Sequence, residues 1–225
     1  KENIVMVSVM PCPAKKFEIT REDECGAGVP DVDIVITTNE LAKMLKDAVN
    51  IPVFIGHNIF SPEDAEKMLA EGNADFVALG RSQLADPAWA KKAKEGRASD
   101  IKPCINCLIG CIDRGMLSHT PIHCTVNPSL YRFECKPVEK AETRKQVAVV
   151  GAGPTGCEAA LTASKRGHQV TIYEKRCIGG AMIEASKPEN KANIKRLIHY
   201  YEDHIMHESN ITQVKKEVEY ETLVH

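Results

Sequence analysis

Four cysteines crowd into 21 residues of the 225-residue chain, in the run "CINCLIGCIDRGMLSHTPIHC". Cys104, Cys107, Cys111 and Cys124 are spaced C-x2-C-x3-C-x12-C. Thiolates are soft ligands that suit iron–sulfur clusters or zinc. Two tight turns bring three sulfurs to one locus, and a loop brings the fourth. Four-thiolate zinc sites usually pair two C-x2-C knuckles. Here there is one knuckle, one x3 interval and one lone cysteine, an asymmetry that favours a 4Fe-4S cubane and leaves zinc as the alternative. His119 and His123 are alternative ligands, although a loop histidine is more often polar surface. Cys12, Cys25, Cys135, Cys157 and Cys177 lack comparable spacing, and Cys157 reads as packing on a helix.

A second pattern follows in "VAVVGAGPTGCEAAL". Gly151, Gly153 and Gly156 form G-x-G-x-x-G directly after an apolar strand and at the opening of a helix. The first glycine permits the tight turn, the second lets a pyrophosphate approach the backbone, and the third lets helix and strand pack closely. Ala152, Pro154 and Thr155 complete the turn, and the helix start offers free N–H groups to the phosphates. Glu174, 18 residues after Gly156, ends the next strand, where a carboxylate can accept from ribose hydroxyls. Lys175 follows it. Gly180, in "IGG", adds another close backbone approach and favours FAD over NAD at this turn. The bland alternative is a glycine turn without a ligand.

Two strand ends, "GHNI" and "LGRS", carry a third pattern. In a (β/α)8 barrel, the loops after the last two strands commonly bind phosphate. Backbone N–H groups at Gly56, His57 and Asn58, with Gly80 and the forked guanidinium of Arg81, suit a phosphate monoester. The alternative is that the glycines merely end strands while Arg81 pairs with a carboxylate.

The elements needed to position these groups alternate along the chain. "IVMVSV", "IPVFIG" and "DFVALG" read as buried strands, and "VDIVIT" as a short one. A long Pro-, Gly- and charge-rich loop separates the first from the next. Residues 39–49 place Leu41, Met44, Leu45 and Ala48 at helical spacing. In "SPEDAEKMLAEG", Ser61, Pro62 and Asp64 form a helix start and Gly72 a stop. "DPAWAKKAKEG" repeats the logic, with Asp86 as cap, Pro87 first and Gly96 last. Residues 1–97 therefore predict a parallel sheet with crossover helices, having too few strands for a closed barrel. The cysteine run has little regular period. A charged linker, then strand, turn, helix and strand, then a helix over 189–208 complete the chain.

Composition excludes several function classes. The net charge of −2 shows no basic stripe for nucleic acid. No apolar run approaches the ~20 residues that span a bilayer, and no secretory signal precedes the first strand. Nine irregularly spaced cysteines fit a reducing cytoplasm. The chain starts without Met and stops soon after the nucleotide pattern begins, so a piece of a longer protein is expected.

In order, "DPAWAKKAKEGRASDIKPCINCLIGCIDR", "CTVNP" and "VAVVGAGPTGCEAAL…GHQVTIYEK" resemble the NADH:flavin oxidoreductases of the old yellow enzyme superfamily. The likeness is to the iron–sulfur branch that contains 2,4-dienoyl-CoA reductase and trimethylamine dehydrogenase. It implies an α/β chain holding the C-terminal part of an FMN-binding TIM barrel (1–100), a 4Fe-4S segment (101–135), a linker (136–145) and the start of a Rossmann-like FAD domain (146–225). It also implies FMN at the phosphate residues, the four cysteines as cluster ligands, and electron transfer between NAD(P)H and a small organic substrate. An activated C=C bond is the expected acceptor. The runner-up is an N-methyl amine dehydrogenase or demethylase with reversed flow to an electron-carrier protein. A zinc-stabilised, non-enzymatic nucleotide-binding module is the rival from another class. His57 stands where the family often has glycine, and no histidine precedes it, so no catalytic residue is assigned. A homo-oligomer is compatible with the sequence.

Overall fold

The computed structural model describes residues 5–10, 16–17, 19–21, 32–56, 58–130 and 137–218. The chain divides into two compact units, Lys1–Leu79 and Gly80–His225.

In the first unit, β1 (Val7–Met10) pairs in parallel with β2 (Ile34–Thr37), and β3 (Phe54–Ile55) pairs in parallel with β4 (Phe76–Val77). These are two separate two-stranded sheets, whereas the sequence predicts one parallel sheet. The apolar runs are longer than the strands because pairing stops after two residues: Phe54 is 64% exposed and stacks on Phe76 at 4.7 Å. Helix α1 (Thr38–Ala48) starts with a capping box in which Thr37 and Glu40 satisfy each other's N–H groups. Lys16 and that box hold the Glu40 carboxyl down to about 2. Helix α2 (Pro62–Ala70) opens as the sequence predicts, on Ser61, Pro62 and Asp64. A small core of Ala42, Ile55 and Ala74 joins helices to strands. Asp75 braces it by accepting from Val53 N at 2.8 Å and Lys46 Nζ at 2.6 Å.

The second unit begins with two short helices, α3 (Arg81–Ala85) and α4 (Trp89–Lys94). The sequence misses α3, which is five residues long and has no side-chain cap. It also expects Asp86 to cap a helix at Pro87, but α4 starts later. Asp86 is buried and keeps a cap-type bond, Oδ1 accepting from Ala88 N at 3.0 Å, while Oδ2 accepts from Lys92 Nζ at 2.6 Å and Lys102 N at 2.9 Å. Trp89 is 4% exposed, and its indole N–H has no hydrogen-bond partner among the described residues.

A π-helix (Ile109–Leu117) lies within the cysteine run. Strands β5 (Gln146–Val150), β6 (Gln169–Tyr173) and β7 (Ile211–Val214) then form a parallel sheet in the order β5-β6-β7. Helix α5 (Pro154–Lys165) crosses from β5 to β6. After the short α6 (Met182–Ala185), α7 (Asn193–His207) crosses to β7, burying Leu197, Ile198, Tyr201 and Ile205. One apolar core holds Val170, Ile172, Cys157, Leu161 and Tyr201 together with Ala85 and Val126, and Cys104, Ile105 and Cys124 pack against it. The cysteine run and the glycine-turn domain therefore share a core. Ala141 N donates to Arg166 O at 2.9 Å, which lays part of the charged linker along the same body. Among the described residues, no helix is long and apolar enough to cross a membrane.

Candidate functional site

Cys104, Cys107, Cys111 and Cys124 line one small cavity, together with Arg81, His123, Thr125 and Val126. All four are free thiols of intermediate burial. The backbone turns sharply between them, for Asn106 (φ 56°) and Leu108 (φ 62°) both lie in the left-handed region. In that turn Asn106 N donates to Cys104 Sγ at 3.4 Å. Cys107 Sγ and the Thr125 hydroxyl are 3.3 Å apart. The fourth cysteine is held by backbone: His123 N donates to Gly110 O at 2.8 Å. A Cβ on Gly110 would lie 2.4 Å from His123 O, so only glycine allows that approach. Asn127, in "CTVNP", brackets the loop through Nδ2 to Leu84 O at 2.9 Å.

Burial pushes the Cys104 thiol above its usual value, opposed by the Asn106 N–H and by the charge of Arg81. Four sulfurs, an N–H directed at one of them and a neighbouring cation form a soft donor set with hydrogen bonds to sulfur, as iron–sulfur sites have. These residues fit such a group chemically. Among the described residues, however, no three of Cys, His, Asp and Glu are grouped so as to hold one metal ion. His119 is exposed and absent from the cavity lining, whereas His123 contributes to it.

The phosphate candidates fall in both units. In the first, Gly56 follows β3, where a Cβ would meet Ala78 Cβ at 3.0 Å, and Asn58 is left-handed. His57 lies outside the described residues. In the second, Gly80 precedes α3, and the Arg81 guanidinium donates to the Asn106 carboxamide in the cysteine turn. Sequence reading missed this use of Arg81, because it joins positions 25 residues apart.

The glycine turn connects β5 to α5. A Cβ on Gly156 would sit 1.9 Å from Gly151 O, so the third glycine is required by helix–strand contact. Gly153, Pro154 and Thr155 open α5, and Gly180 brings its backbone against Gly153. Glu174 directly follows β6 and reaches back, accepting from Ala152 N and Arg176 N, each at 2.8 Å. Those N–H groups, Ala152 first, hold its carboxyl below the usual range. Glu174, Ala152, Arg176 and Lys215 border a cavity of about 380 Å³ at the carboxyl ends of the strands. Parallel sheets bind ligands in that position. Lys175 faces outward and pairs with Glu217 at 2.7 Å.

Partly buried polar groups tie the two regions together. Lys102, two residues before Cys104, donates to Glu158 on α5, and Tyr201 on α7 donates to the same carboxylate at 2.8 Å. The Lys102 ammonium also lies 5.9 Å and 6.0 Å from the ring centroids of Tyr200 and Tyr201.

Residues 133–224 match the family model described as pyridine nucleotide-disulphide oxidoreductase. Residues 1–96 match that of the iron only hydrogenase large subunit, C-terminal domain. The latter likeness stands beside the barrel expectation for the same stretch. The NADH oxidase of Thermoanaerobacter brockii is 50% identical over 157 residues, covering 69% of this chain and 24% of that protein. A 2-naphthoyl-CoA reductase complex superposes with a TM-score of 0.78 at 28% identity, over 97% of this chain and 37% of that one. Histamine dehydrogenase from Rhizobium sp. 4-9 gives 0.75 at 28% identity, over 83% and 28%. The chain spans about a quarter of the length of the curated relatives it matches. With its parallel α/β architecture, the chain is similar to part of a set of oxidoreductases whose names include an NADH oxidase, a cinnamate reductase and a dimethylamine dehydrogenase.

Proposed function

We propose that the protein is a flavin- and iron–sulfur-dependent oxidoreductase passing electrons between NAD(P)H and a small organic substrate. The observation that carries this reading is the single core shared by the cysteine run and the glycine-turn domain. A one-electron site and a nucleotide site on one body keep a fixed separation, which suits electron transfer between them. When bound, FAD and FMN would supply two-electron exchange and a 4Fe-4S cluster one-electron exchange. Cys104, Cys107, Cys111 and Cys124 would hold the cluster. Gly151 to Gly156 would admit a pyrophosphate, and Glu174, oriented by Ala152 N, would accept from a ribose hydroxyl. FMN at Gly56, His57, Asn58, Gly80 and Arg81 rests on the family resemblance. In the proposed organisation, 101–135 is the cluster segment and 146–225 opens the FAD domain, with barrel sequence before them.

Reduction of an activated C=C bond is the preferred chemistry, supported by the similarity to a naphthoyl-CoA reductase. Amine oxidation with reversed flow is the second reading, favoured by the similarity to histamine dehydrogenase. Metal and flavin analysis of the full-length protein tests the proposal. About four iron and four acid-labile sulfide per chain are expected, with bound flavin. A colourless protein with one zinc would refute it. Paired assays with enoyl-CoA and N-methyl amine substrates separate the two chemistries.

A further inference from the structure

We infer that Arg81 is a positioning residue for the cysteine site: it holds the Asn106 turn that points an N–H at Cys104 and sets how readily the site accepts an electron. This rests on the iron–sulfur reading above and adds a role at the cysteines to the phosphate role expected for Arg81.

Three observations converge. The Arg81 guanidinium donates to the Asn106 carboxamide. Asn106 occupies the left-handed region at φ 56°, a backbone that asparagine adopts more readily than most residues and that the Arg81 bond fixes in one turn. From that conformation its N–H reaches Cys104 Sγ at 3.4 Å. Arg81 also borders the cysteine cavity itself, so its positive charge lies close enough to act on Cys104. The side chain therefore acts twice, through a hydrogen-bond relay and through charge.

The consequence follows from charge balance. One-electron reduction adds one negative charge at the site; the electron comes from the nicotinamide nucleotide by way of flavin, and no bond to Arg81 forms or breaks. A fixed cation and an N–H directed at a sulfur both favour the more negative state. Removing them shifts the equilibrium toward the oxidised form, and the reduction potential falls.

The test uses full-length holoprotein and potentiometric titration followed by electron paramagnetic resonance, with iron and sulfide counted in every sample. Arg81→Gln is expected to lower the reduction equilibrium at least tenfold, about 59 mV for one electron. Arg81→Lys keeps the charge but not the fork, and should recover more than half of that shift. Asn106→Gly tolerates the left-handed backbone and keeps the N–H but cuts the link to Arg81, so an intermediate fall is expected. A wild-type potential in Arg81→Gln at full iron occupancy overturns the inference, even if that variant loses FMN. If Arg81→Gln does not retain iron, Asn106→Gly decides, and a wild-type potential there overturns it equally. Absence of iron and sulfide from the wild-type protein would instead refute the underlying functional reading, and the inference with it.

Discussion

Two glycines three residues apart should respond in opposite ways to the same added methyl group. At Gly156 a Cβ would lie 1.9 Å from Gly151 O and 3.0 Å from Gly151 C. Ordinary C···O approach is about 3.3 Å, so roughly 1.4 Å of movement is needed. Both contacting atoms are backbone, so no rotamer change can relieve the overlap. Overpacking of this kind costs about 1–3 kcal/mol, and the better helix propensity of alanine returns at most about 1 kcal/mol. Taking the upper end for a backbone clash, Gly156→Ala should lose about 2 kcal/mol, or roughly 4–8 °C in Tm for a domain of this size. At Gly153 the added Cβ meets no atom within 4 Å, and φ is −72°, which alanine adopts freely. Gly153→Ala should therefore stay within about 1 kcal/mol of the parent. Its methyl, however, occupies the backbone face that the pyrophosphate approaches. The assay pairs thermal unfolding of flavin-free protein by circular dichroism with flavin content of the loaded protein. Gly156→Ala should lose Tm in the flavin-free state, whereas Gly153→Ala should lose flavin at normal Tm. Equal Tm for all three proteins would refute the steric argument. A fully flavinated Gly153→Ala would refute the pyrophosphate placement.

Tyr201→Phe removes a hydrogen bond to a charged acceptor from a residue only 2% exposed, while Lys102 remains paired with Glu158. It should cost about 1.5 kcal/mol in urea unfolding, and a double-mutant cycle with Lys102→Met should show coupling above about 0.5 kcal/mol; additivity would mean that the three groups do not act as a unit. Glu174 has a folded pKa below its ordinary 4.5, so its stabilisation is complete above that pH and is lost as pH falls through the lower folded value. Acid unfolding of Glu174→Gln should accordingly be shallower below pH 4.5 than that of the parent, and superimposable curves would count against the Ala152 and Arg176 contacts.

Local signals in the sequence are those that the structure reproduces most closely. Ser61, Pro62 and Asp64 announce α2 because a capping box is complete within four residues. The glycine turn is legible because tight turn, close packing and helix start each demand a particular residue at a fixed offset. The π-helix is not legible, since its backbone follows neither the 3.6-residue nor the two-residue period. Strand length fails for a different reason. "IPVFIG" reads as a six-residue buried strand, but only Phe54 and Ile55 find a partner, and pairing is a tertiary property. The candidate site divides along the same line. Its cysteines are visible from spacing, but the bonds from Arg81 to Asn106 and from Lys102 to Glu158 span 25 and 56 residues, and neither end carries a local mark. Asp86 shows how a local signal can be kept only in part. One oxygen keeps the cap-type bond to Ala88 N, but the regular helix starts only at Trp89 and the other oxygen is taken by Lys92 and Lys102 N.

The placement of Trp89 has an optical consequence. It is the only tryptophan of the chain, and it lies in the second unit. Its indole is buried with no hydrogen-bond partner among the described residues, an environment that gives short-wavelength emission. Loss of structure there should shift the emission to the red, whereas melting of the first unit, which has only phenylalanine among its aromatic residues, should leave tryptophan emission unchanged. Comparison of emission with circular dichroism during one unfolding scan would thus resolve the two units without introducing any label.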